Sequence, residues 1–425
     1  MRKDRSTQPT FPPFSSLPSI NRLFAGDDDH TLSHVPLYNI NHVLAKANHD
    51  RDAGTDLRLI PEARAMHLRH SMKTAALLSG GVDSSVALAR ALESGAQGVT
   101  AFYLKVWLED ELDGLGTCPW EEDLAYARRV CEQLEVPLKV VPLQLEYYDR
   151  VVSYTLSELR AGRTPSPDIF CNQRIKFGAF YEYLGDEYQR IVTGHYARTE
   201  RGAAEVLLKR GVDPVKDQTY FLSHLTQSRL ARAWFPIGGI RKTEVRSYAR
   251  RLELPNQNRP DSQGICFLGK VRYPEFIRHY LGEQEGHIVE RESGRLLGTH
   301  RGYWFYTIGQ RQGLGLGGGP WYVVDKDTAD NTIFVSHANN VVPTAARRSL
   351  RLGRLHWIGT PPARERLFIR IRHGPELVPC TVKPVPAADA EVLEVEMERA
   401  DRGVAPGQFG VLYDDEVCLG AGMIL

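Results

Sequence analysis

From residue 73 onward, the hydrophobic positions of the chain follow two alternating periods. Apolar runs with the length of strands occur at Thr74–Leu78, Val99–Leu104, Leu138–Val141 and Ile191–Thr193. Between the first three runs, apolar residues recur every three or four positions in Val82–Ser94 and Trp120–Leu134, which predicts amphipathic helices. Strands separated by helices favour an α/β domain with a doubly wound parallel sheet. Such sheets bind ligands at the carboxyl ends of their strands.

The pattern changes after about residue 270, where strand-like segments separated by Gly, Pro and Asp dominate. These segments are Tyr303–Ile308, Trp321–Val324, Thr332–Val335, Leu367–Ile371, Thr381–Val385, Val392–Glu396 and Glu416–Leu419. We therefore predict three folded parts: an α/β domain at 71–270, a small mixed α/β domain at 271–345 and a C-terminal β-barrel at 346–425.

Residues 1–70 show no sustained periodicity and begin with a Pro/Ser-rich stretch. We expect a disordered extension or a start codon assigned too early, because Met66 and Met72 lie just before the first strand. An organellar transit peptide is the alternative. Against it, the acidic residues of this segment contrast with the acid-poor composition of such peptides.

Composition excludes several classes of protein. The formal net charge of +1 gives no overall attraction to nucleic acid or membranes, so any RNA contact must come from a local patch. No apolar run approaches the roughly 20 residues of a membrane-spanning helix. The 6 cysteines contain no Cys-x-x-Cys pair, which argues against a zinc ribbon, a thioredoxin-type site and a closely spaced iron–sulfur ligand set.

The strongest local signal is the junction Ser79–Ser85, which separates the first predicted strand from the first helix. Its two glycines let backbone N–H groups approach a polyphosphate closely, and the following helix presents its positive end to the anion. No Gly-Lys-Ser/Thr follows, so the loop is not of the Walker type. We interpret it as an ATP site. Asp83 is a candidate contact for a metal ion, with helix capping as the alternative.

Two further segments each carry a cysteine in a polar loop. In Gly162–Asn172, two prolines stiffen the chain before Asp168 and Cys171, which lie three residues apart. In Asp261–Gly269, Cys266 stands between apolar residues. A lone cysteine is usually a small buried hydrophobe. Two of them beside an ATP loop suggest sulfur chemistry, in which one carries a persulfide and the other attacks it.

With these motifs in place, the chain resembles the tRNA-specific 2-thiouridylases of the MnmA type, within the PP-loop ATP pyrophosphatase superfamily. The matching stretches are Ser79–Ser85, Gly162–Asn172, Thr193–Tyr196, Lys216–Leu222, Ser262–Gly269, Thr307–Arg311, Trp321–Lys326 and Pro406–Gln408. Cys118–Glu121 and Arg372–Pro375 resemble the plastid-type branch. The resemblance implies a PP-loop (adenine nucleotide hydrolase-like) α/β domain for residues 71–270.

The resemblance also implies a reaction: ATP-dependent 2-thiolation of the wobble uridine in tRNA anticodons. Uridine O2 would be adenylated, and sulfur from a cysteine persulfide would give 2-thiouridine, AMP and pyrophosphate. We expect ATP with Mg²⁺ but no iron–sulfur cluster or zinc. The expected partners are tRNA and a persulfide donor or relay protein, with no membrane. The expected location is the cytoplasm, or an organelle if residues 1–70 are a transit peptide.

The family's functional positions carry over residue by residue. Cys266 would carry the persulfide, Cys171 would release the sulfur by forming a disulfide with Cys266, and Asp168 would act as general acid/base. ATP would be held by Leu77, Leu78, Ser79, Gly80, Gly81, Val82, Asp83, Ser84, Leu104 and Gly194. The target base would lie against Ser166, Pro167 and Asp168. Contacts to tRNA would come from His195, Lys216, Asp217, Gln218, Arg372, His373 and Gln408. After Arg372-His373, the chain has Gly-Pro where the commoner bacterial form has Arg-Gln.

Arginine enrichment gives a separate indication of RNA binding. Between Arg347 and Arg372 there are eight arginines (347, 348, 351, 354, 364, 366, 370 and 372) and one acidic residue, Glu365. Arg370 and Arg372 alternate with isoleucines, which predicts a strand with a row of guanidinium groups on one face. A solvated strand face without RNA is the alternative. The glycine cluster at 313–319 is predicted to be a mobile loop.

Two other classes of protein are less well matched. A PP-loop ligase acting on a small molecule would need the ATP loop but neither cysteine. A non-catalytic RNA-binding protein on a nucleotide-binding fold would tolerate loss of Asp83, Asp168 or either cysteine, and all of these are present.

Overall fold

The computed structural model describes residues 72–106, 120–261, 272–340, 347–385 and 391–425. The predictions for residues 1–70 and for Cys266 therefore concern residues outside the described part. Up to residue 261 the strands are β1 Thr74–Leu77, β2 Val99–Lys105, β3 Leu138–Pro142, β4 Arg190–Val192, β5 Ala197–Arg201, β6 Val206–Arg210 and β7 Ala233–Trp234. Five of them form a parallel sheet in the order β3-β2-β1-β4-β7. The chain steps outward from β1 to β3 and then returns to β4 on the other side of β1, so the ligand-binding crevice lies beside β1.

The described α-helices are α1 Val82–Glu93, α2 Trp120–Gln133, α3 Gln144–Tyr147, α4 Ser153–Arg160, α5 Pro167–Phe170, α6 Phe180–Leu184, α7 Thr219–Leu222, α8 Gln227–Arg232, α9 Lys242–Arg251 and α10 Tyr273–Leu281. The π-helical turns Tyr148–Val152 join α3 to α4, and Cys171–Ala179 joins α5 to α6. The first two helices begin at the predicted residues and end one residue early. Their apolar stripes are buried in one core, which includes Val86 and Ala127.

The central part of the chain forms a mixed sheet. Its strands are β8 Gly286–Glu290, β9 Leu296–His300, β10 Trp321–Asp327 and β11 Thr332–His337, in the order β10-β11-β8-β9. The strand predicted for Tyr303–Ile308 is wrong, because Tyr303–Phe305 form a 3₁₀ turn. The aromatic side chains that suggested a strand serve packing between elements instead: the Tyr303 hydroxyl donates to the Arg160 carbonyl at 2.5 Å.

The C-terminal part is a closed barrel. Its strands are β12 Arg347–Trp357, β13 Arg366–Arg370, β14 Val378–Val385, β15 Val392–Asp401, β16 Phe409–Asp414 and β17 Val417–Ile424. They run in the order β12-β15-β14-β13-β16-β17, and pairing of β12 with β17 closes the circle. Leu352, Ile369 and Val395 fill its interior. The sequence pattern missed β16 because nearly all of its residues are buried, so polar and apolar positions do not alternate.

The α/β domain and the barrel share a sheet. The hairpin β5–β6 leaves the α/β domain and pairs through β6 with β17, with Cys418 opposite Leu208. The predicted fold class is confirmed: a parallel α/β sheet, a small mixed domain and a β-barrel. In the part of the chain that the structure describes, no helix has both the length and the apolar character needed to cross a bilayer.

Candidate functional site

The loop after β1 is shaped by one glycine. Leu78 stays attached to the sheet by donating its N–H to the Phe102 carbonyl at 2.9 Å, and α1 begins at Val82. Between them, Gly80 has a φ of +74°, and a Cβ added there would lie 2.2 Å from the Asp123 carbonyl oxygen. Only glycine fits both the left-handed backbone and the close approach of α2. The turn is therefore fixed by its sequence.

Side-chain hydrogen bonds hold the carbonyls of this loop. The hydroxyls of Ser84 and Ser85 both donate to the Gly81 carbonyl at 3.0 Å. The Asn256 amide donates to the Gly80 carbonyl at 2.8 Å and to the Ser85 hydroxyl at 2.9 Å. The first N–H groups of a helix have no acceptor within it. With the carbonyls held by side chains, the loop and α1 provide a fixed set of amides suited to a phosphate.

Neighbouring strands contribute the remaining predicted nucleotide positions. Gly194 follows β4, and a Cβ added to it would lie 2.7 Å from the backbone nitrogen of Ser84, so this position admits no side chain. Leu104 lies near the end of β2, partly buried against the core, two residues beyond the strand partner of Leu77. The structure thus brings Leu77–Ser84, Leu104 and Gly194 to one edge of the sheet.

Asp83 is the charged member of the loop. Its carboxylate accepts from the Tyr196 hydroxyl at 2.8 Å and from Lys242 Nζ at 2.7 and 2.9 Å. The helix-capping alternative is wrong, because the N-cap of α1 is Gly81, which makes no side-chain capping bond. Burial raises the pKa of Tyr196 and the Asp83 carboxylate raises it further, so this hydroxyl stays a donor. These bonds fix the Asp83 carboxylate in the first turn of α1.

A second carboxylate extends this ionic cluster. Asp261 accepts from Lys242 Nζ at 2.7 Å and from Lys216 Nζ at 2.8 Å, and it also pairs with Arg246. Burial opposes its ionisation, but the bonds from Lys216 and Lys242 outweigh burial and hold the pKa of Asp261 well below its usual range. Asp261 is the last residue of the described range 120–261, five positions before Cys266 in the sequence. The cluster therefore joins the predicted ATP loop to the start of the second cysteine segment.

The first cysteine lies in a different environment. Pro167 opens α5, where its fixed φ suits the first helical turn, and Asp168 and Cys171 follow three residues apart on one face. Cys171 is 3% exposed and packs in the main core with Ile169 and Phe170. It also begins the π-helical turn Cys171–Ala179, a geometry often found at functional sites. The structure brings Asp168 and Cys171 together as predicted.

The segment before α5 is held by all three parts of the protein. In the α/β domain, Glu158 pairs with Arg163 through both carboxylate oxygens. Lys326 of β10 donates to the Gly162 carbonyl at 3.1 Å, and Thr164 donates its N–H to the Pro406 carbonyl of the barrel at 2.8 Å. Burial lowers the pKa of Lys326 to about 8. The position of Asp168 and Cys171 thus depends on contacts from the middle sheet and from the barrel.

Two of the predicted tRNA-contact residues are buried. His195 is 8% exposed and bonds through Nδ1 to the Thr193 hydroxyl at 2.8 Å. Burial and the nearby Lys176 hold the pKa of His195 well below its usual range, so the ring is neutral. Asp217 is fully buried and pairs with Arg370 at 2.8 Å and Arg210 at 2.9 Å. These two buried side chains hold neighbouring residues in place and do not themselves face the solvent.

Three of the other predicted tRNA positions, Lys216, Gln218 and His373, lie around Asp217. Lys216 pairs with Asp261, and the Gln218 amide oxygen accepts from the Tyr196 N–H at 3.0 Å. His373 lies against the Asp217 carbonyl at 3.2 Å and stacks on Phe221 with ring centroids 4.8 Å apart. Two further predicted positions lie on the barrel side. Arg372 is exposed and bonds Asp401 through two contacts of 2.7 Å. Gln408 lies two residues after Pro406, whose carbonyl accepts from the Thr164 N–H.

The prediction of an exposed guanidinium row is wrong for Arg370. This side chain is 2% exposed, pairs with Asp217, and lies over the Tyr413 ring at 5.0 Å, because the α/β domain covers this face of β13. On β12, Arg351 lies opposite Glu394 of β15. Strand pairing thus places beside this arginine a carboxylate that lies outside the arginine-rich stretch 347–372. The arginine-rich stretch alone therefore does not define an RNA surface.

Sequence reasoning missed several residues of this region. Lys242 could have been flagged, because a cation at the first position of a helix is unfavourable for the helix dipole and needs another reason. Lys326 lay inside a matching stretch but had no local pattern to suggest its contact with Gly162. Glu158 and Arg370 are buried charges, and no sequence window shows which charges become buried. In the described ranges, no group of three or more His, Cys, Asp or Glu side chains could hold a metal ion.

Comparison with known proteins covers most of the chain. Three family models match in order: the tRNA methyl transferase HUP domain at residues 72–270, the tRNA methyl transferase PRC-barrel domain at 274–337, and the Aminomethyltransferase beta-barrel domain at 347–424. The tRNA-specific 2-thiouridylase MnmA of Parabacteroides distasonis is 43% identical over 361 residues, which cover 83% of this chain and 99% of that protein. MnmA 1 of Bacteroides thetaiotaomicron is 43% identical over 362 residues, with the same coverage of 83% and 99%.

Similarities to solved structures are weaker. NMN synthetase from Francisella tularensis aligns with a TM-score of 0.30 at 17% identity, over 47% of this chain and 70% of that one. The U34-tRNA thiolase NcsA from Methanococcus maripaludis, solved with its 4Fe–4S cluster, aligns with a TM-score of 0.30 at 18% identity, over 47% and 62%.

Proposed function

Because the chain belongs to the family of tRNA-specific 2-thiouridylases of the MnmA type, we propose that it catalyses ATP-dependent 2-thiolation of the wobble uridine in tRNA anticodons. The observation that carries this proposal is the 43% identity over 99% of a relative's length, together with an ATP loop and an Asp168–Cys171 pair in one fold. The products would be 2-thiouridine, AMP and pyrophosphate.

Adenylation is the first step. The loop amides of Ser79–Ser84 would bind the ATP phosphates, and the uridine O2 would attack the α-phosphorus and release pyrophosphate. This turns a poor leaving group into an AMP ester at C2. Asp83 suits Mg²⁺, because this ion is usually bound by one or two carboxylates plus substrate phosphates, and the carboxylate is partly exposed at the loop. When bound, Mg²⁺ would offset the charge of the phosphates.

Sulfur transfer would follow at Cys266 and Cys171. The terminal sulfur of a Cys266 persulfide bonds to C2, and AMP leaves with the electrons of the C2–O bond. The Cys171 thiolate attacks Cys266 Sγ and breaks the sulfur–sulfur bond, which leaves the sulfur on the base and a Cys171–Cys266 disulfide. A thiol reductant must reopen this disulfide before the next turnover. Asp168, one helical turn before Cys171, is placed to move protons at the base, which Ser166 and Pro167 would border.

The predicted tRNA contacts fall into two groups. Lys216, Gln218, Arg372, His373 and Gln408 would meet RNA directly, and each lies at or beside the junction between the α/β domain and the barrel. His195 and Asp217 would act from beneath, since their side chains are buried. The target base must leave the anticodon stack to reach Asp168, which costs little in a single-stranded loop.

The sulfur would come from a persulfide donor or relay protein, and we propose that the reaction takes place in the cytoplasm. Residues 1–70 would place it in an organelle if they act as a transit peptide. The names of the matching family models raise methyl transfer to tRNA as a second candidate reaction. A PP-loop and two cysteines favour thiolation.

One assay tests the proposal. Purified protein is incubated with unmodified tRNA transcript, Mg-ATP and a persulfide donor, while pyrophosphate release and tRNA retardation on a mercury-containing gel are followed together. We expect release that depends on tRNA and a retarded band that is absent with Cys171→Ser. Pyrophosphate release without tRNA would instead indicate a small-molecule ligase. In a parallel incubation with labelled S-adenosylmethionine, transfer of label to tRNA with no retarded band would indicate a methyl transferase.

A further inference from the structure

Lys242 occupies an unfavourable place for a cation. It is the first residue of α9, directly after Arg241 at the N-cap, where the helix dipole favours negative charge. Its side chain is 13% exposed, so it is also largely removed from water. The position is compensated by acidic groups: the backbone N–H of Lys242 donates to Asp213 at 3.0 Å, and Nζ lies between Asp83 and Asp261. Such a costly placement implies a role for the ammonium group.

The contact with Asp83 gives that role a direction. Asp83 lies in the first turn of α1, beside the amides that receive phosphate, so its unbalanced charge would repel a triphosphate. Lys242 Nζ bonds both oxygens of this carboxylate, at 2.7 and 2.9 Å. The ammonium therefore lies beside the loop to which the phosphates are assigned.

We propose that Lys242 is a phosphate-binding residue of the ATP site, and that it contacts the β- and γ-phosphates that leave as pyrophosphate. Without nucleotide, it neutralises Asp83. With nucleotide, Asp83 becomes available to Mg²⁺, and the ammonium turns from the carboxylate to the phosphate oxygens while Asp261 continues to anchor it. A lysine suits this exchange because its donors rotate on a flexible stem. This inference rests on the proposed ATP site and not on thiolation.

Binding of ATP, AMP and pyrophosphate to the full chain, measured by calorimetry without tRNA, tests the proposal. Lys242→Met should weaken binding of ATP and pyrophosphate by about tenfold to a hundredfold, the usual range for a lost charge-assisted bond. AMP binding should change less than about twofold, because AMP lacks the phosphates in question. Lys242→Arg should keep most of the affinity.

The matched control is Arg246→Met. Arg246 pairs with Asp261 but not with Asp83, so this substitution removes a cation from Asp261 alone. It should leave ATP affinity within about threefold, since the lost pair is one step further from the loop. An equal loss of AMP and ATP affinity in Lys242→Met would overturn the proposal, because Lys242 would then only support the loop. Unchanged ATP affinity would overturn it as well.

A second comparison avoids an unpaired carboxylate. Asp83→Asn and Asp83→Asn/Lys242→Met differ only in Lys242, and neither leaves Asp83 charged. Metal-free pyrophosphate should bind the double variant at least about tenfold more weakly. Equal binding would refute the assignment. Wild-type protein that binds ATP but never thiolates tRNA would contradict the proposed function and leave this inference standing.

Discussion

The loop after β1 and the segment before α5 are held in place by different means. Around the first, the side chains Asp83, Lys242 and Asp261 form an ionic cluster within the α/β domain. At the second, Cys171 is buried in an apolar core, and the preceding residues are fixed by contacts from the middle sheet and the barrel. Among the described residues, the contacts around the proposed nucleotide end therefore come from one domain, whereas those around the proposed sulfur end come from all three parts of the protein.

This difference separates the effects of mutations. Changes in the middle sheet or barrel should impair tRNA binding and sulfur transfer while ATP binding persists. Changes at the β1 loop should weaken ATP binding and leave tRNA binding intact.

The largest effect is expected at the sulfur end. Cys171→Ser replaces the thiol by a smaller hydroxyl of similar shape, so the core stays filled but the nucleophile is lost. We expect thiolation to fall by a thousandfold or more, as for the loss of an essential nucleophile, and ATP affinity to remain unchanged. Mercury gels and calorimetry measure the two quantities. A matching fall in ATP affinity would show that the two ends are not independent. Cys131→Ser, on the buried face of α2, is the control.

The next effect concerns the contact between the α/β domain and the barrel. Arg370→Met removes a buried partner of Asp217 and should lower the free energy of unfolding by about 3–5 kcal/mol. Affinity for tRNA should fall with it, because Lys216 and His373 lie beside Asp217. Denaturant unfolding and filter binding measure these changes.

The control for Arg370 is Arg364→Met, which breaks an exposed pair with Asp414 and should cost less than about 1 kcal/mol. Arg370→Met leaves the buried Asp217 carboxylate with one cationic partner fewer. Adding Asp217→Asn removes that buried charge and should therefore recover part of the lost stability. No recovery would mean that packing over Tyr413, and not charge, accounts for the loss.

A smaller effect is expected at the nucleotide end. In Gly194→Ala, the new methyl would lie 2.7 Å from the Ser84 nitrogen and push the start of α1. We expect a loss of about 1–3 kcal/mol in stability and about tenfold in ATP affinity. Affinity for tRNA should not change. Gly239→Ala, where nothing lies within 4 Å of the added carbon, is the control. Equal effects of the two substitutions would contradict this account of Gly194.

The smallest effect belongs to Lys326. Lys326→Met keeps the stem but loses the bond to Gly162, and thiolation should fall about threefold to tenfold with ATP affinity unchanged. Burial lowers the Lys326 pKa from 10.5 to about 8, so between these values the unfolded chain holds more protons than the folded one. The free energy of unfolding of the wild type should therefore increase relative to that of Lys326→Met as pH rises from 8 to 10.5. Unfolding curves of wild type and Lys326→Met across this pH range measure the difference in stability, with exposed Lys383→Met as the control. A difference in stability that does not change with pH would contradict a buried ammonium at Lys326.

The sequence predicted the strand, loop and helix around Ser79–Ser84 well because they are local. A strand, a loop with Gly80 and a helix follow one another along the chain, and each has its own pattern. The parallel sheet was predicted for the same reason. The roles proposed for Cys171 and Asp168 come from a resemblance, since a lone cysteine in a loop has no physical pattern that marks it as functional.

What could not be predicted is how distant residues meet. Lys242 and Asp83 are 159 residues apart, and Lys326 and Gly162 are 164 apart. A period of two predicted the face of Arg370 but not that the α/β domain covers that face. The pairing of β6 with β17 likewise depends on tertiary packing, which no local window contains.

We propose that adenylation and sulfur transfer are separate functions of two loops that are held in place by different means. The most direct test is a single turnover of Cys266→Ser with tRNA and Mg-ATP, in which pyrophosphate and thiolated tRNA are quantified together. We expect a burst of tRNA-dependent pyrophosphate close to that of the wild type, with no thiolated product. Loss of both the pyrophosphate burst and thiolation would contradict the proposal, because the segment that carries Cys266 would then be needed for adenylation itself.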